Sequence, residues 1–534
     1  MRNSKLDQEC DRYVHDLAAL CPTSATALGI PGFDDKLQDY SPEWHEKVHE
    51  RTSELYSFAS TYRPEDAIDA VTKETLLDRL GVELELSERG EDLASLNNIA
   101  SPLQDMRDTL QLMPTETQAQ RDNIRTRISL IPEALEGYKN SLLEGARRGI
   151  IAAARQVVEV AKQAEDLSNG DIFIKLAGDN EETQAARAAA KGLALWLREE
   201  FLQKSIRANG DRDGVGRDRY EPFSWQFVGA KVDLDEAFEW GKERLQEIIA
   251  EQENIAGQLY GDGTSVARAF KLLDQEEKYT IRGVDNLRDW MQATADQVIS
   301  DMNGVNFDIP EQVQRIEACI DPAGTGGIFY TPPSEDFSRP GRMWWSVPKG
   351  QTEFHTWQEL TTVFHEGVPG HHLQIGAAMC AKEDLNLWRR IACWNSGHGE
   401  GWALYAEQLM EEFGYHDDPA TRMGLLDAQR LRAARVVLDI GVHLQKDGWD
   451  YDHAAQFLAD NVAMAPENRQ FELMRYLGWP GQAPSYALGQ RLWQQLRQDC
   501  VNKGMSLKEF HARALREGSI PMGVLRYALL EGRR

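Results

Sequence analysis

His365 and Glu366 stand side by side in the segment Thr356-Trp-Gln-Glu-Leu-Thr-Thr-Val-Phe-His-Glu-Gly-Val-Pro-Gly-His-His-Leu-Gln374. A neutral imidazole nitrogen is a good ligand for a divalent metal, and a carboxylate beside it can take a proton from water that the metal activates. In the signature His-Glu-x-x-His the two histidines, at i and i+4, share one helix face about 6 Å apart along the axis. Here position 369 is proline, and the next histidines, His371 and His372, fall at i+6 and i+7. On an unbroken helix i+6 lies about 240° around the axis, on the wrong side. Position i+7 faces correctly but lies about 10 Å further along, too far to share one tetrahedral ion.

The elements that carry these residues resolve the conflict. Thr356 with Glu359 reads as a capping box, so a helix begins near Trp357 and His365 comes about two turns in. Pro369 removes the amide that would bond the His365 carbonyl, its ring clashes with that carbonyl, and it disfavours helix at Val368. Gly370 can adopt backbone angles closed to other residues. An excursion through Val368-Pro369-Gly370 therefore takes up the extra residues and returns a histidine near His365. Downstream, Gly399-Glu-Gly-Trp-Ala-Leu-Tyr-Ala-Glu407 opens a new helix with Glu400 in its first turn, 29 residues past His371. Two histidines and this carboxylate leave one coordination position open, the arrangement of a catalytic rather than a structural site, with Glu366 as base. The plain alternative is a surface His-Glu pair and twin histidines satisfied as ordinary polar groups. Pro-Gly inside a capped helix weighs against it, because breaking a helix there costs about 3 kcal/mol and needs a reason.

The chain has 534 residues, with 59 Lys+Arg against 86 Asp+Glu for a net charge of −27. With 42% hydrophobic and 27% charged residues it is of globular composition. The negative charge argues against nucleic acid and anionic membrane as partners, since both demand basic surface. Nowhere do about 18 uninterrupted apolar residues occur, and no apolar run follows the N-terminal charges. The six cysteines form no CxxC pair and no disulfide framework. A cytoplasmic protein is expected. Residues 1–304 read as helix after helix, at 141–167, 181–206, 233–259 and 284–302, with Asp233 and Glu236 as a capping signature. Asn209–Arg217 is expected as a surface loop. Between 305 and 350, Val313–Ile320, Gly327–Tyr330 and Arg342–Val347 suggest one small antiparallel sheet. The reading is mainly α, with an N-terminal helical lobe over 1–304 and a C-terminal lobe over 305–534 that holds the small sheet and the site, the two expected to form one continuous bilobal unit.

The chain resembles the DUF885 family, grouped with gluzincin-type zinc peptidases such as angiotensin-converting enzyme and thimet oligopeptidase. The resemblance rests on His365-Glu-Gly-Val-Pro-Gly-His-His-Leu-Gln374 and Glu400-Gly-Trp-Ala-Leu-Tyr-Ala-Glu407. It extends through Arg435-Val-Val-Leu-Asp-Ile-Gly-Val-His443, Pro480-Gly-Gln-Ala-Pro-Ser-Tyr-Ala-Leu-Gly489 and Phe510–Met522, and more loosely over Gly216–Gly241. It implies a two-lobed helical fold with a deep cleft, cleavage of short unfolded peptides, and one zinc on His365, His371 and Glu400. It favours His371 over His372 as second ligand.

A peptide carbonyl under attack develops a negative oxygen that needs a fixed donor. Tyr486, beside the Pro-Gly-Gln-Ala turn, is the leading candidate and His443 the second. Arg435, Asp439 and His443 recur at four-residue spacing on one helical face, where an intrahelical ion-pair ladder is the alternative. The strand Arg342–Pro348 could offer its edge to an extended peptide, with Trp344 and Trp345 as core residues in the simpler account. A zinc amidase for a non-peptide metabolite and a non-catalytic helical binding protein are the competing functions.

Overall fold

The computed structural model describes residues 3–321, 327–334, 336–446 and 448–531. The chain is mainly α-helical, with a few short strands between residues 280 and 355. Local signals place many helix starts. Asp233 caps Leu234–Tyr260 by accepting from the amides of Asp235 and Glu236, and Val284–Met302 matches the expected span. The run over 181–206 is Glu181–Trp196 and Leu202–Asn209 joined by a π-helical turn at Leu197–Phe201. The expected helix over 141–167 is instead two, Gln118–Arg147 and Ala154–Asn169. Gly149, at φ +87°, lies in the turn between them, a conformation glycine adopts without steric penalty.

One hydrophobic core draws only on residues 40–201, forming an N-terminal helical layer around Ile128, Tyr138 and Phe201. Four others among the described residues cross residue 304, two of them large. The first packs Leu287, Met291 and Val298 with Trp402, Trp493 and Phe510. The second packs Leu245 and Ile248 with Met423, Leu438 and Tyr476. The expected lobe boundary at 304/305 thus runs through shared cores. Asn209–Arg217 is also more than surface loop. Asp213 is buried, Gly214 lies against the Val442 carbonyl too closely for a Cβ, and the Gly216 amide donates to the His443 carbonyl.

Among the described residues the strands form two sheets rather than one. Thr280–Arg282 pairs antiparallel with Glu353–His355, which runs directly into the helix Thr356–Glu366. In the other sheet Gly341–Ser346 is central, parallel to Ile316–Asp321 and antiparallel to Phe329–Thr331. The sheet is therefore mixed. Its central strand has both edges occupied, so the expected docking edge on Arg342–Pro348 is absent. Trp345 is buried core and donates from Nε1 to Glu359, while Trp344 stacks on Phe329 across the opposite face.

Candidate metal centre

The helix carrying His365 runs Thr356–Glu366, as expected, but no side chain caps it. The Thr356 hydroxyl donates to the Tyr279 carbonyl and Glu359 accepts from Trp345, so tertiary partners have taken both members of the anticipated capping box. The helix ends at Glu366 and resumes at His371. In between, the Gly367 amide donates to Val363, the Gly370 amide to Phe364 and the His372 amide to Gly367, while proline offers no donor. Gly370 is required for space rather than for a positive φ. A Cβ there would lie 1.9 Å from the His365 carbonyl oxygen. Trp402 anchors the turn by donating from Nε1 to the Pro369 carbonyl at 2.8 Å.

The excursion returns His371. Its ring centroid lies 4.8 Å from that of His365, at 89° between planes. Glu400 is the fifth residue of Ser396–Glu412, one turn further in than expected because the helix begins at Ser396, capped by Asn395. Its Oε2 is 3.5 Å from His365 Nε2 and 3.6 Å from His371 Nε2. These are long for hydrogen bonds. They approach the roughly 3.3 Å that separates two ligand atoms each about 2.05 Å from one tetrahedral zinc. All three ligand atoms lie within 4.8 Å of one another. The close approach of the supporting helices depends on glycine. A Cβ on Gly401 would lie 2.4 Å from the Gly489 backbone, so only small residues let Ser396–Glu412 and Ser485–Asn502 pack this tightly.

Glu407 completes the arrangement, and sequence reasoning assigned it no role. His365 Nδ1 donates to Glu407 at 2.7 Å, and Thr361 donates to the other carboxylate oxygen at 2.5 Å. With Nδ1 protonated, the Nε2 lone pair of His365 faces Glu400, the tautomer a metal ligand needs. Burial pushes Glu407 up, but the His365 and Thr361 bonds hold it below the usual carboxylate range. The available signal was spacing: Glu407 lies seven residues after Glu400 and Thr361 four before His365, one helix face in each case.

The electrostatics call for positive charge. Burial lowers His365, yet Glu400 and Glu407 hold it up to about 10. Glu400 is driven far below its ordinary value by both histidines despite burial. A proton or a cation meets that demand, and a divalent metal on these three donors fits it. Glu366 is buried, its Oε2 lacks a hydrogen-bond partner among the described residues, and burial raises its pKa more than the histidines lower it. His371 Nδ1 is likewise without a partner. These groups line a cavity of about 440 Å³ with Tyr330, Trp394, Arg432 and Tyr486.

The remaining expected residues divide. Tyr486 lines the cavity, its ring covered by Arg435 at 5.0 Å. Burial and the nearby Glu400 raise its hydroxyl pKa, while Arg475 and Arg435 pull it down. His372 turns away: Nε2 donates to the Val313 carbonyl at 2.8 Å and Nδ1 accepts from the Tyr330 hydroxyl at 2.9 Å. Burial keeps it neutral, at about 4. His443 does not reach the cavity. It is fully buried, bonded through Nε2 to the Tyr476 carbonyl and stacked on Tyr220. Nor do Arg435, Asp439 and His443 form a ladder with one another. Arg435 pairs with Glu472 and Tyr476, and Asp439 accepts from Tyr220 and Gly481.

The chain belongs to DUF885, described as "Bacterial protein of unknown function", whose family model matches residues 22–529. Two solved structures share the fold. One, described as a putative lipoprotein from Colwellia psychrerythraea, superposes with a TM-score of 0.81 at 21% identity, covering 98% of both chains. The other, described as a putative lipoprotein of unknown function from Shewanella oneidensis, has a TM-score of 0.75 at 16% identity, covering 99% of this chain and 100% of that one. No curated protein matches.

Proposed function

We propose that this protein is a zinc-dependent hydrolase of amide bonds in short peptides. The observation that carries the reading is the convergence of His365 Nε2, His371 Nε2 and Glu400 on one point, beside a partnerless carboxylate oxygen of Glu366. Bound there, zinc supplies Lewis acidity to water and to the substrate carbonyl. The chain's own residues do the rest. Glu366, its proton affinity raised by burial, takes a proton from the attacking water and returns it to the leaving amine. Glu407 holds the His365 tautomer. Tyr486 offers a hydroxyl to the developing oxyanion, with Arg435 and Arg475 stabilising negative charge nearby.

Peptide rather than a compact metabolite is favoured by the strand Phe329–Thr331. It pairs on one side only among the described residues, and Phe329 and Tyr330 line the same cavity, so an extended chain can add along it. Among the described residues no helix is long and apolar enough to cross a membrane. The six cysteines are free, which fits a reducing compartment.

Replacing Glu366 by Gln tests the reading. Hydrolysis of short peptides is expected to fall about 10³-fold, within the range of general acid–base catalysis, with about one zinc per chain retained. A variant at wild-type rate excludes Glu366 as the base. A wild-type protein that cleaves acyl-amides and ignores peptides replaces the peptide by a metabolite.

A further inference from the structure

We propose that Arg432 sets the substrate class of the metal pocket: the peptide carries a carboxylate, gripped by this guanidinium while the scissile amide lies at the histidines. The inference rests on the hydrolase reading above and narrows it. Arg432 stands on the helix Pro419–His443, which packs against Thr356–Glu366. The two close at Gly424, where a Cβ would lie 2.1 Å from the Trp357 carbonyl oxygen. Further along, both line the cavity, Thr361 and His365 on one helix, Ala428 and Arg432 on the other. Eight residues separate Trp357 from His365, and eight separate Gly424 from Arg432. The guanidinium stem and the proposed metal ligand thus start about 12 Å along their helices from the same contact.

Every other cationic side chain on this wall has an acidic partner. Arg435 is held by Glu472 and Tyr476, and both histidines face Glu400. Arg432 makes one hydrogen bond, from Nη1 to the Ala428 carbonyl of its own helix at 3.2 Å. Its Nε is buried without a partner, whereas Nη2 is neither bonded nor buried among the described residues. One proton on Nη1 and two on Nη2 therefore remain for a ligand, an end-on fork that matches a carboxylate. The acidic groups nearby do not take it. Glu407 accepts from His365 and Thr361, and Glu400 lies between the two histidines. Arg432 draws on Glu407 and Asp427 through space, without an ion pair to either among the described residues. A divalent metal offsets Glu400 and Glu407, so they present no net charge against an entering carboxylate. An extended peptide brings that group at its C-terminus or on an acidic side chain.

Four peptides test it, titrated calorimetrically into the full-length, zinc-loaded protein carrying Glu366→Gln so that they are not consumed. Ala-Phe-Ala is compared with its C-terminal amide, and Ala-Phe-Glu amide with Ala-Phe-Gln amide. In at least one pair the carboxylate member is expected to bind about tenfold tighter or more. Which pair responds tells a terminal from a side-chain carboxylate. Adding Arg432→Gln should reduce the preference to within about twofold. Equal affinities within both pairs overturn the proposal before position 432 is changed, whether or not that variant folds. So does a preference that survives Arg432→Gln, which would put the carboxylate on the metal. Turnover by the wild type separates this inference from the hydrolase reading. Cleavage of all four peptides alongside equal affinities overturns the carboxylate anchor and leaves the hydrolase. An Arg432-dependent preference in a protein that cleaves none of them leaves the anchor and overturns the hydrolase.

Discussion

The metal pocket and the buried face of the helix Pro419–His443 use the same side-chain types in opposite ways. In the pocket two histidines and a carboxylate aim at a common point, and buried atoms of Glu366 and His371 have no partner. On the helix, Arg435, Asp439 and His443 are as deeply buried, and Asp439 Oδ2 and His443 Nδ1 also lack a partner among the described residues, but each side chain reaches a different neighbour and the three share no common point. Burial alone therefore does not separate chemistry from architecture. Buried polar groups that each bond a separate neighbour specify packing, whereas several whose ligand atoms converge on one point are poised for a ligand. His371 and His372 make the same contrast within two adjacent residues: one presents Nε2 at the convergence point, the other is bonded through both ring nitrogens.

The largest expected effect breaks that contrast directly. His371→Ala should weaken zinc binding by more than the roughly 100-fold typical of losing an outer partner, and His372→Gln by less than about tenfold. Competition against a zinc-sensitive dye measures both. Equal losses would mean that the neighbours share the ligand role.

Tyr486→Phe removes the proposed oxyanion donor and should lower kcat about 10²-fold with little change in KM. A loss confined to KM would make the tyrosine a binding residue.

Glu407→Gln leaves the His365 ring without its charged acceptor. Zinc affinity is expected to fall about 10- to 100-fold, and peptide turnover with it unless zinc is in excess. Restoration of rate by added zinc is the outcome that ties the effect to metal retention.

The smallest effect belongs to the helix face and is read as stability. Burial raises Asp439 to about 7, against an ordinary value of 3.8, despite bonds from Tyr220 and Gly481. The folded state then binds a proton that the unfolded chain releases, so stability falls as pH rises from about 4 to 7, by at most roughly 1.4 kcal/mol per unit. Denaturant titrations at pH 5 and 8 should show a smaller drop in Asp439→Asn than in the wild type. Activity in that variant should stay within a few-fold.

The helical class was legible because apolar residues recur at helical spacing, and Asp233 and Val284 mark helix starts that local hydrogen bonding and backbone preference decide. Pro369 and Gly370 announced the interruption after Glu366 for the same reason: a missing donor and a missing Cβ are properties of the residues themselves. The capping box at Thr356 was not legible, because Tyr279 and Trp345, distant in sequence, took its hydrogen-bonding groups. The sheet misled for a related reason. Alternation marks strands, but pairing direction depends on which segments meet, and Ile316–Asp321 meets Gly341–Ser346 in parallel.

Residue order alone determined that His365, Glu366, a later histidine and Glu400 were available for metal chemistry, and that the helix between the histidines had to break. Which histidine returned, where Tyr486 came to lie, and why His443 went elsewhere were decided by the tertiary structure. Those outcomes depend on contacts between chain segments far apart, such as Trp402 holding the Pro369 carbonyl and Gly401 admitting Gly489. Local spacing carries no information about them, because the partners are chosen by packing in three dimensions.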